Sequence, residues 1–215
     1  MTSDPIAIII LLAIMSLMPI VFILTTSFIK IAMVCILTRE SLGVQQIPPN
    51  IVIYSLSLIL SFYVMGPVYN ASFLAIQDDL KSGKPLTYNV IIDDFQKSSE
   101  PIKQFLIKHS DRNERIFFYQ SLNKFWSKDM MSGVTQDNFI VLIPAFMVSE
   151  LTKAFKIGFL IYLPSVIIDI IVSNILMAMG MMMMSPVTIS LPIKLLLFIA
   201  IDGWSRLLHV LISSY

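Results

Sequence analysis

Four ionisable residues lie inside apolar stretches of this sequence, where charge is costly: Lys30, Asp169, Lys194 and Asp202. An ionised side chain that faces lipid costs about 2.5 to 3.5 kcal/mol on insertion scales. Arg206 follows Asp202 by four residues, the spacing of an ion pair on one helix face. These residues either join helices of the same chain or line a subunit interface or an aqueous lumen. The number of charges in so small a bundle favours the second interpretation.

The same residues could also perform chemistry. Asp169 and Asp202 could form a carboxylate dyad. Either one could also carry protons if the chain were a small-solute secondary transporter, a function that we consider as an alternative. However, nothing in the sequence brings the two together, and the two halves of the chain show no inverted repeat. The seven glycines form neither a phosphate loop nor a dinucleotide fingerprint, and Cys35 has no histidine cluster around it. We therefore expect no enzyme activity, no cofactor and no metal.

Methionine is concentrated near the C-terminal end, where six of the eight residues from Met177 to Met184 are methionine. Four consecutive side chains on a helix would point in all directions, so a loop between Gly180 and Ser185-Pro186 is the better prediction. Met181, Met182, Met183 and Met184 could be apolar filler or could bind Cu(I) through thioethers, although no Cys or His accompanies them. A third possibility is a deformable seal, in which copies of the loop close a pore around a symmetry axis.

The composition indicates what kind of elements must position these residues. The 215 residues are 56% hydrophobic and 13% charged, with a mean hydropathy of +0.81. Because a soluble domain carries about 25% charged residues, the composition predicts a membrane or membrane-assembly protein. The net charge of +1 provides no basic stripe, so nucleic acid is not an expected partner.

Charge is distributed unevenly and divides the chain into three parts. Residues 78–137 hold 18 of the 29 charged side chains, nine acidic and nine basic. We predict an N-terminal apolar helical hairpin over 1–77, a polar helical insert over 78–137 and C-terminal apolar helices over 138–215.

The apolar parts contain four stretches long enough to cross a bilayer, which needs about 20 residues. They are Pro5 to Ile29, Ile51 to Ile76, Ile157 to Met184 and Val187 to Ile212. Prolines interrupt all four, and isolated helices in hydrocarbon cannot satisfy the backbone groups that a proline frees. The prediction is an all-α, membrane-associated protein of bent and interrupted helical hairpins packed against protein.

Two short amphipathic helices are predicted in the insert. Ser99 could cap the first, with Pro101 in its first turn. Asp111 and Glu114 have the spacing of a capping box that opens the second. The apolar residues that this second helix is expected to bury are Phe118, Leu122, Phe125 and Trp126.

Three long stretches resemble the FliP/YscR (SctR) family, the core export-apparatus subunits of bacterial type III secretion systems. They are Thr26 to Asn50 (TSFIKIAMVCILTRESLGVQQIPPN), Pro144 to Asp169 (PAFMVSELTKAFKIGFLIYLPSVIID) and Gly180 to Trp204 (GMMMMSPVTISLPIKLLLFIAIDGW). Ser185-Pro186 and the segment Gln45 to Asn50 are more similar to the injectisome, or virulence, branch than to the flagellar branch. The insert carries no family motif.

The resemblance implies a pentameric pore in the bacterial inner membrane that conducts unfolded secreted proteins. It also implies S-type and T-type partners (FliQ-like and FliR-like), a U-type switch subunit (FlhB-like), contact with membrane lipid and a periplasmic insert. The same resemblance implies that the methionine loop is the family's gasket, which maps onto Met181, Met182, Met183 and Met184 here.

Overall fold

The computed structural model describes residues 5–44, 46–81, 88–181 and 183–215. Within these ranges the chain contains helices and turns and no strand, so the predicted all-α class is confirmed. The helices are α1 (Pro5–Thr25), α2 (Phe28–Ser41), α3 (Asn50–Lys81), α4 (Tyr88–His109), α5 (Arg112–Phe125), α6 (Phe139–Ala178), α7 (Pro186–Ala200) and α8 (Gly203–Ser213).

Two apolar helices are long enough to cross a membrane without a break. These spans are Asn50–Gln77, in α3, and Phe139–Ala178, which is the whole of α6. Two further pairs of helices reach the length and apolar character of a span only when the two members of a pair are counted together. They are Met15–Thr25 with α2, and α7 with α8, and each pair is bent by 60°. The described residues therefore contain two candidate spans, or four if each bent pair counts as one.

The C-terminal helices differ from the predicted spans. The span predicted to begin at Ile157 belongs to a 40-residue helix that begins at Phe139, while the stretch from Val187 to Ile212 is broken between Ala200 and Gly203. At this break Asp202 has a left-handed backbone (φ 52°), and a Cβ at Gly203 would overlap the Phe198 ring. The bend thus depends on a glycine that lets the aromatic ring approach the backbone.

The first bend lies between α1 and α2. The hydroxyls of Thr25 and Thr26 donate to the carbonyl oxygens of Val21 and Phe22, at 2.7 and 2.8 Å. Such bonds back to the preceding turn bend a helix and compete with its continuation. The apolar run from Pro5 to Ile29 consequently contains the end of one helix and the start of the next.

The chain forms two compact units. The first comprises Met1–Ile29 and Phe62–Glu150, and in it α1 packs against α4. Phe105 of α4 lies 5.8 Å from Phe146 of α6, measured between ring centroids.

Helix α5 belongs to the first unit and begins as predicted, at Asp111. The Asp111 side chain accepts from the Asn113 amide at 2.7 Å, and the Asp111 amide donates to Ser149 Oγ at 2.8 Å. That second bond takes the place of the reciprocal bond expected from Glu114. Helix α4, in contrast, runs through Ser99 and Pro101, so the predicted cap at Ser99 is wrong.

The expected burial of the apolar face of α5 is also wrong. None of the α5 residues is buried, and the Phe125 side chain is 81% exposed. Phe118, Leu122 and Trp126 are half-buried. Helix α5 is short and is bonded to α6 at its N-terminal end, through Asp111 and Ser149. The apolar face of α5 therefore lies outside the core of the single chain.

The second unit comprises Lys30–Ser61 and Leu151–Tyr215. Its core joins residues of α2, α3, α6 and α8, which are Ile31, Val34, Cys35, Ile53, Ala154, Leu207 and Leu211. Gly158 of α6 lies directly against Leu37 of α2, where a Cβ would overlap the leucine side chain. Small residues of this kind allow apolar helices to approach closely.

Candidate functional site

The central polar feature of the second unit is an ion pair between α6 and α7. Lys194 Nζ lies 2.6 Å from Asp169 Oδ2, and Ser190 Oγ donates to Asp169 Oδ1 at 2.5 Å. Ser190 and Lys194 are one helical turn apart, so both face the same carboxylate. Lys194 is 6% exposed and Asp169 36%, so the positive charge is the more desolvated partner. The structure thus brings together two of the four charges identified in the sequence.

Lys30 is buried in a different place. Only 1% of it is exposed, and Nζ lies 3.4 Å from the centroid of the Tyr215 ring. A cation over the face of an aromatic ring is attracted by the quadrupole of the ring, more strongly when water is excluded. Lys30 therefore has a cation–π contact with the C-terminal tyrosine.

Asp202 and Arg206 are exposed in the single chain. Their predicted i,i+4 ion pair is absent from the described residues; the Arg206 amide donates instead to the Asp202 carbonyl oxygen at 3.1 Å. Asp202 occupies the N-cap of α8 in a left-handed conformation, so the two side chains do not share the face of one continuous helix. Their role in a subunit interface stays a prediction.

The methionine run forms a loop between α6 and α7, as predicted. The Met181 amide donates to the Leu176 carbonyl at 2.9 Å and the Gly180 amide to the Met177 carbonyl at 3.0 Å, with Gly180 at φ 76°. This is the Schellman arrangement, in which a left-handed glycine ends a helix. Ser185 and Pro186 then begin α7.

The side chains of this loop point away from the core of the single chain. Met183 is fully exposed, while Met181 and Met184 are about two-fifths exposed, at 38% and 44%. Met182 lies outside the described residues. Packing within one chain therefore does not account for Met181, Met183 and Met184.

Glu150 is a buried charge that the sequence analysis did not identify. It lies on α6 and is 1% exposed. Glu150 could have been identified in the sequence as a charge between two apolar runs. However, Lys153 and Lys156 follow it closely and make the segment look like a polar surface. Ser190 was also missed, because a serine in an apolar helix carries no charge to draw attention.

These features define a class of protein: a helical membrane protein with long apolar helices, two bent helix pairs and buried charges within its apolar helices. The sequence profile of the FliP family matches residues 11–211, which is most of the chain. The chain belongs to the FliP family.

Curated relatives match over almost their whole length. The chain is 48% identical over 214 residues to "Yop proteins translocation protein R" of Yersinia pestis, covering 99% of this chain and 97% of that protein. It is 42% identical over 215 residues to "Harpin secretion protein HrcR" of Erwinia amylovora, covering 99% and 97%. It is also 42% identical over 217 residues to "Virulence protein YscR" of Salmonella typhimurium, covering 99% and 98%.

Proposed function

We propose that this protein is a membrane subunit of a bacterial type III secretion export apparatus, of the injectisome branch. The observation that carries the proposal is the match of nearly the whole chain to the FliP family and to relatives named for translocation, secretion and virulence. Those names describe protein transport, and the apolar helices suit a location in the inner membrane.

The proposed role is that of a pore subunit. Five copies assemble with S-type, T-type and U-type export subunits into a conduit for unfolded proteins, and the insert over 78–137 faces the periplasm. The single chain supports an assembled state, because large apolar side chains are exposed along both long helices, among them Tyr63 on α3 and Leu160 on α6. Contiguous exposed apolar surface is typical of lipid or protein interfaces.

The proposed gate of this conduit is the methionine loop. Methionine is unbranched and flexible, so exposed methionines from several copies could close a pore and still yield to a passing chain. The exposure of Met181, Met183 and Met184 in the single chain supports this role, because a seal needs side chains that are not already packed. Met182 is included by its position in the run.

Copurification tests the proposal directly. An affinity-tagged chain, expressed in a strain that lacks its own copy, is extracted in mild detergent and its complex is weighed by native mass spectrometry. We expect a hetero-oligomer with five copies of this chain, and restored secretion of effector proteins into the medium. A complex without other export subunits, or a tagged chain that is produced but does not restore secretion, would reject the role.

The alternative, a small-solute transporter with Asp169 as its proton carrier, predicts uptake or efflux by the purified chain alone. Asp169 is bonded to both Lys194 and Ser190 in the structure, an arrangement that favours a fixed ionised carboxylate over a shuttling proton. Solute transport by the chain in otherwise empty vesicles would favour the transporter over the secretion subunit.

A further inference from the structure

A cavity of about 440 Å³ lies within the second unit, among α2, α6, α7 and α8. Its walls are almost entirely apolar and include Leu42, Ile157, Ile161, Leu197, Phe198 and Leu207. The cavity is partly open to the surface of the single chain, so a ligand can enter it from outside. A space of this volume falls within the range of roughly 300 to 1,000 Å³ typical of sites for organic ligands.

The polar groups on the wall limit the chemistry of the ligand. Thr38 and Ser41 already donate to the carbonyl oxygens of Val34 and Thr38, at 2.8 and 2.7 Å. Two ionisable side chains line the cavity, Lys194 and Arg206, and both are cationic. An apolar ligand with a negative end would match this wall.

Arg206 is the cation that is available to such a ligand. Lys194 is occupied by Asp169, whereas Arg206 is exposed and forms no ion pair within the described part of the chain. The guanidinium group is a planar fork that can hold two oxygens of a phosphate at once. The wall therefore combines apolar surface with one guanidinium group that can donate hydrogen bonds to a phosphate.

The elements around the cavity indicate where the ligand comes from. Its walls belong to α2, to the candidate span of α6 and to the bent pair of α7 and α8. Basic pockets between membrane helices bind anionic lipid head groups. We infer that this cavity binds an anionic phospholipid, with an acyl chain between the four helices and its phosphate on the Arg206 guanidinium.

Tryptophan fluorescence can report on this site. The chain has two tryptophans, and Trp204 directly follows Gly203, a residue of the cavity wall. Replacement of the other one (Trp126→Phe) leaves a single reporter in the full-length chain, which is reconstituted in nanodiscs of phosphatidylcholine with a minor fraction of phosphatidylglycerol. Bromine atoms on the acyl chains of one lipid or the other quench a nearby tryptophan.

The expected result is preferential quenching by brominated phosphatidylglycerol. We expect its apparent concentration at Trp204 to exceed its mole fraction about fivefold, the effect of one arginine on an anionic lipid. Arg206→Gln should reduce this enrichment to near one, and Arg206→Lys should keep most of it. Lys156→Gln is the matched control, because Lys156 is an exposed cation of α6 outside the cavity.

A second pair of variants tests whether the acyl chain enters the cavity. Ser165→Phe places a large side chain inside it and should remove the enriched quenching, while Ile167→Phe, at an exposed position outside the wall, should not. Equal quenching by both lipids in the unsubstituted chain would overturn the proposal, as would enrichment that survives Arg206→Gln or Ser165→Phe. Should Arg206→Gln not fold, 1 M salt replaces it. At a Debye length of about 3 Å the attraction between the exposed Arg206 and a phosphate is weakened, so the enrichment should fall clearly below fivefold, and an enrichment that salt leaves unchanged overturns the proposal.

Discussion

In the Asp169–Lys194 pair, the buried charge of Lys194 is stabilised by the opposite charge of Asp169. Lys194 is 6% exposed, so its ammonium group has little water around it. Removal of the opposite charge leaves a buried cation without compensation, which costs more than the intact pair contributes. Ser190 supplies a further hydrogen bond to the same carboxylate, so three side chains form one unit.

Asp169→Asn should destabilise the chain strongly. We expect the free energy of unfolding to fall by about 3 kcal/mol, the lower end for a buried pair, because Asp169 is itself 36% exposed. Unfolding of the purified full chain in mixed detergent micelles, followed by circular dichroism, measures the change.

Two controls separate charge from packing in that experiment. Ser190→Ala removes one hydrogen bond and should cost about 1 kcal/mol. The double variant Asp169→Leu with Lys194→Met removes both charges and keeps the branching of the first side chain and the length of most of the second, so it should restore most of the stability. A double variant as unstable as Asp169→Asn would contradict the charge explanation.

Sequence alone could identify the charged residues but not their partners. Lys30, Asp169 and Lys194 are detectable as charges in apolar stretches. The pairing of Asp169 with Lys194 depends on how α6 packs against α7, and the contact of Lys30 with Tyr215 joins opposite ends of the sequence. Neither contact follows from local spacing.

Among the helices, two features that local chemistry controls were predicted correctly, whereas the cap at Ser99 was not, because α4 continues through it. The N-cap at Asp111 and the loop that follows Gly180 are set by side chains and backbone conformations within a few residues. The break between α7 and α8 was not predictable, because it requires the Phe198 ring to lie against Gly203. The cavity among α2, α6, α7 and α8 combines residues from four helices and has no signature in any one of them.

The contact between α2 and α6 makes Gly158 a sensitive position. Gly158→Ala places a methyl group against Leu37, including its Cβ at 3.0 Å, and should cost about 1 to 3 kcal/mol as an overpacked contact. Gly66→Ala is the matched control, because Gly66 lies inside α3 with open space around it. In the isolated chain this control should gain up to about 1 kcal/mol from helix propensity.

Both glycine variants are measured by the same detergent unfolding experiment. If Gly158→Ala were as stable as Gly66→Ala, the helices would have room to separate, and the close approach of α2 and α6 would not be important for the second unit. Leu37→Ala combined with Gly158→Ala provides a further check. It removes Leu37 Cγ and Cδ1 and leaves only the contact with Cβ at 3.0 Å, so Gly158→Ala should cost less in the Leu37→Ala background than in the unsubstituted chain.

Many large apolar side chains are exposed across the described part of the molecule. Exposed side chains include Met183 in the loop, Phe125 at the end of α5 and Leu196 on α7. Lipid can cover the surfaces of the long helices, but the loop and the bent pairs lie where helices are interrupted, and freed backbone groups need protein or water around them. The proposed assembly with other copies and subunits would therefore explain the exposed apolar side chains and the interrupted helices together.

The proposed seal is a property of the assembly and is tested there. The triple variant Met181→Ala, Met183→Ala and Met184→Ala should open an ion leak, because each change removes most of a long side chain from the constriction. A membrane-potential dye in cells that express the complete export apparatus measures the leak. Met130→Ala with Met131→Ala is the matched control, because these two methionines follow α5 and lie outside the loop. An assembled triple variant with an unchanged potential would mean that the methionines do not close the pore, while their exposure would still require a contact in the complex.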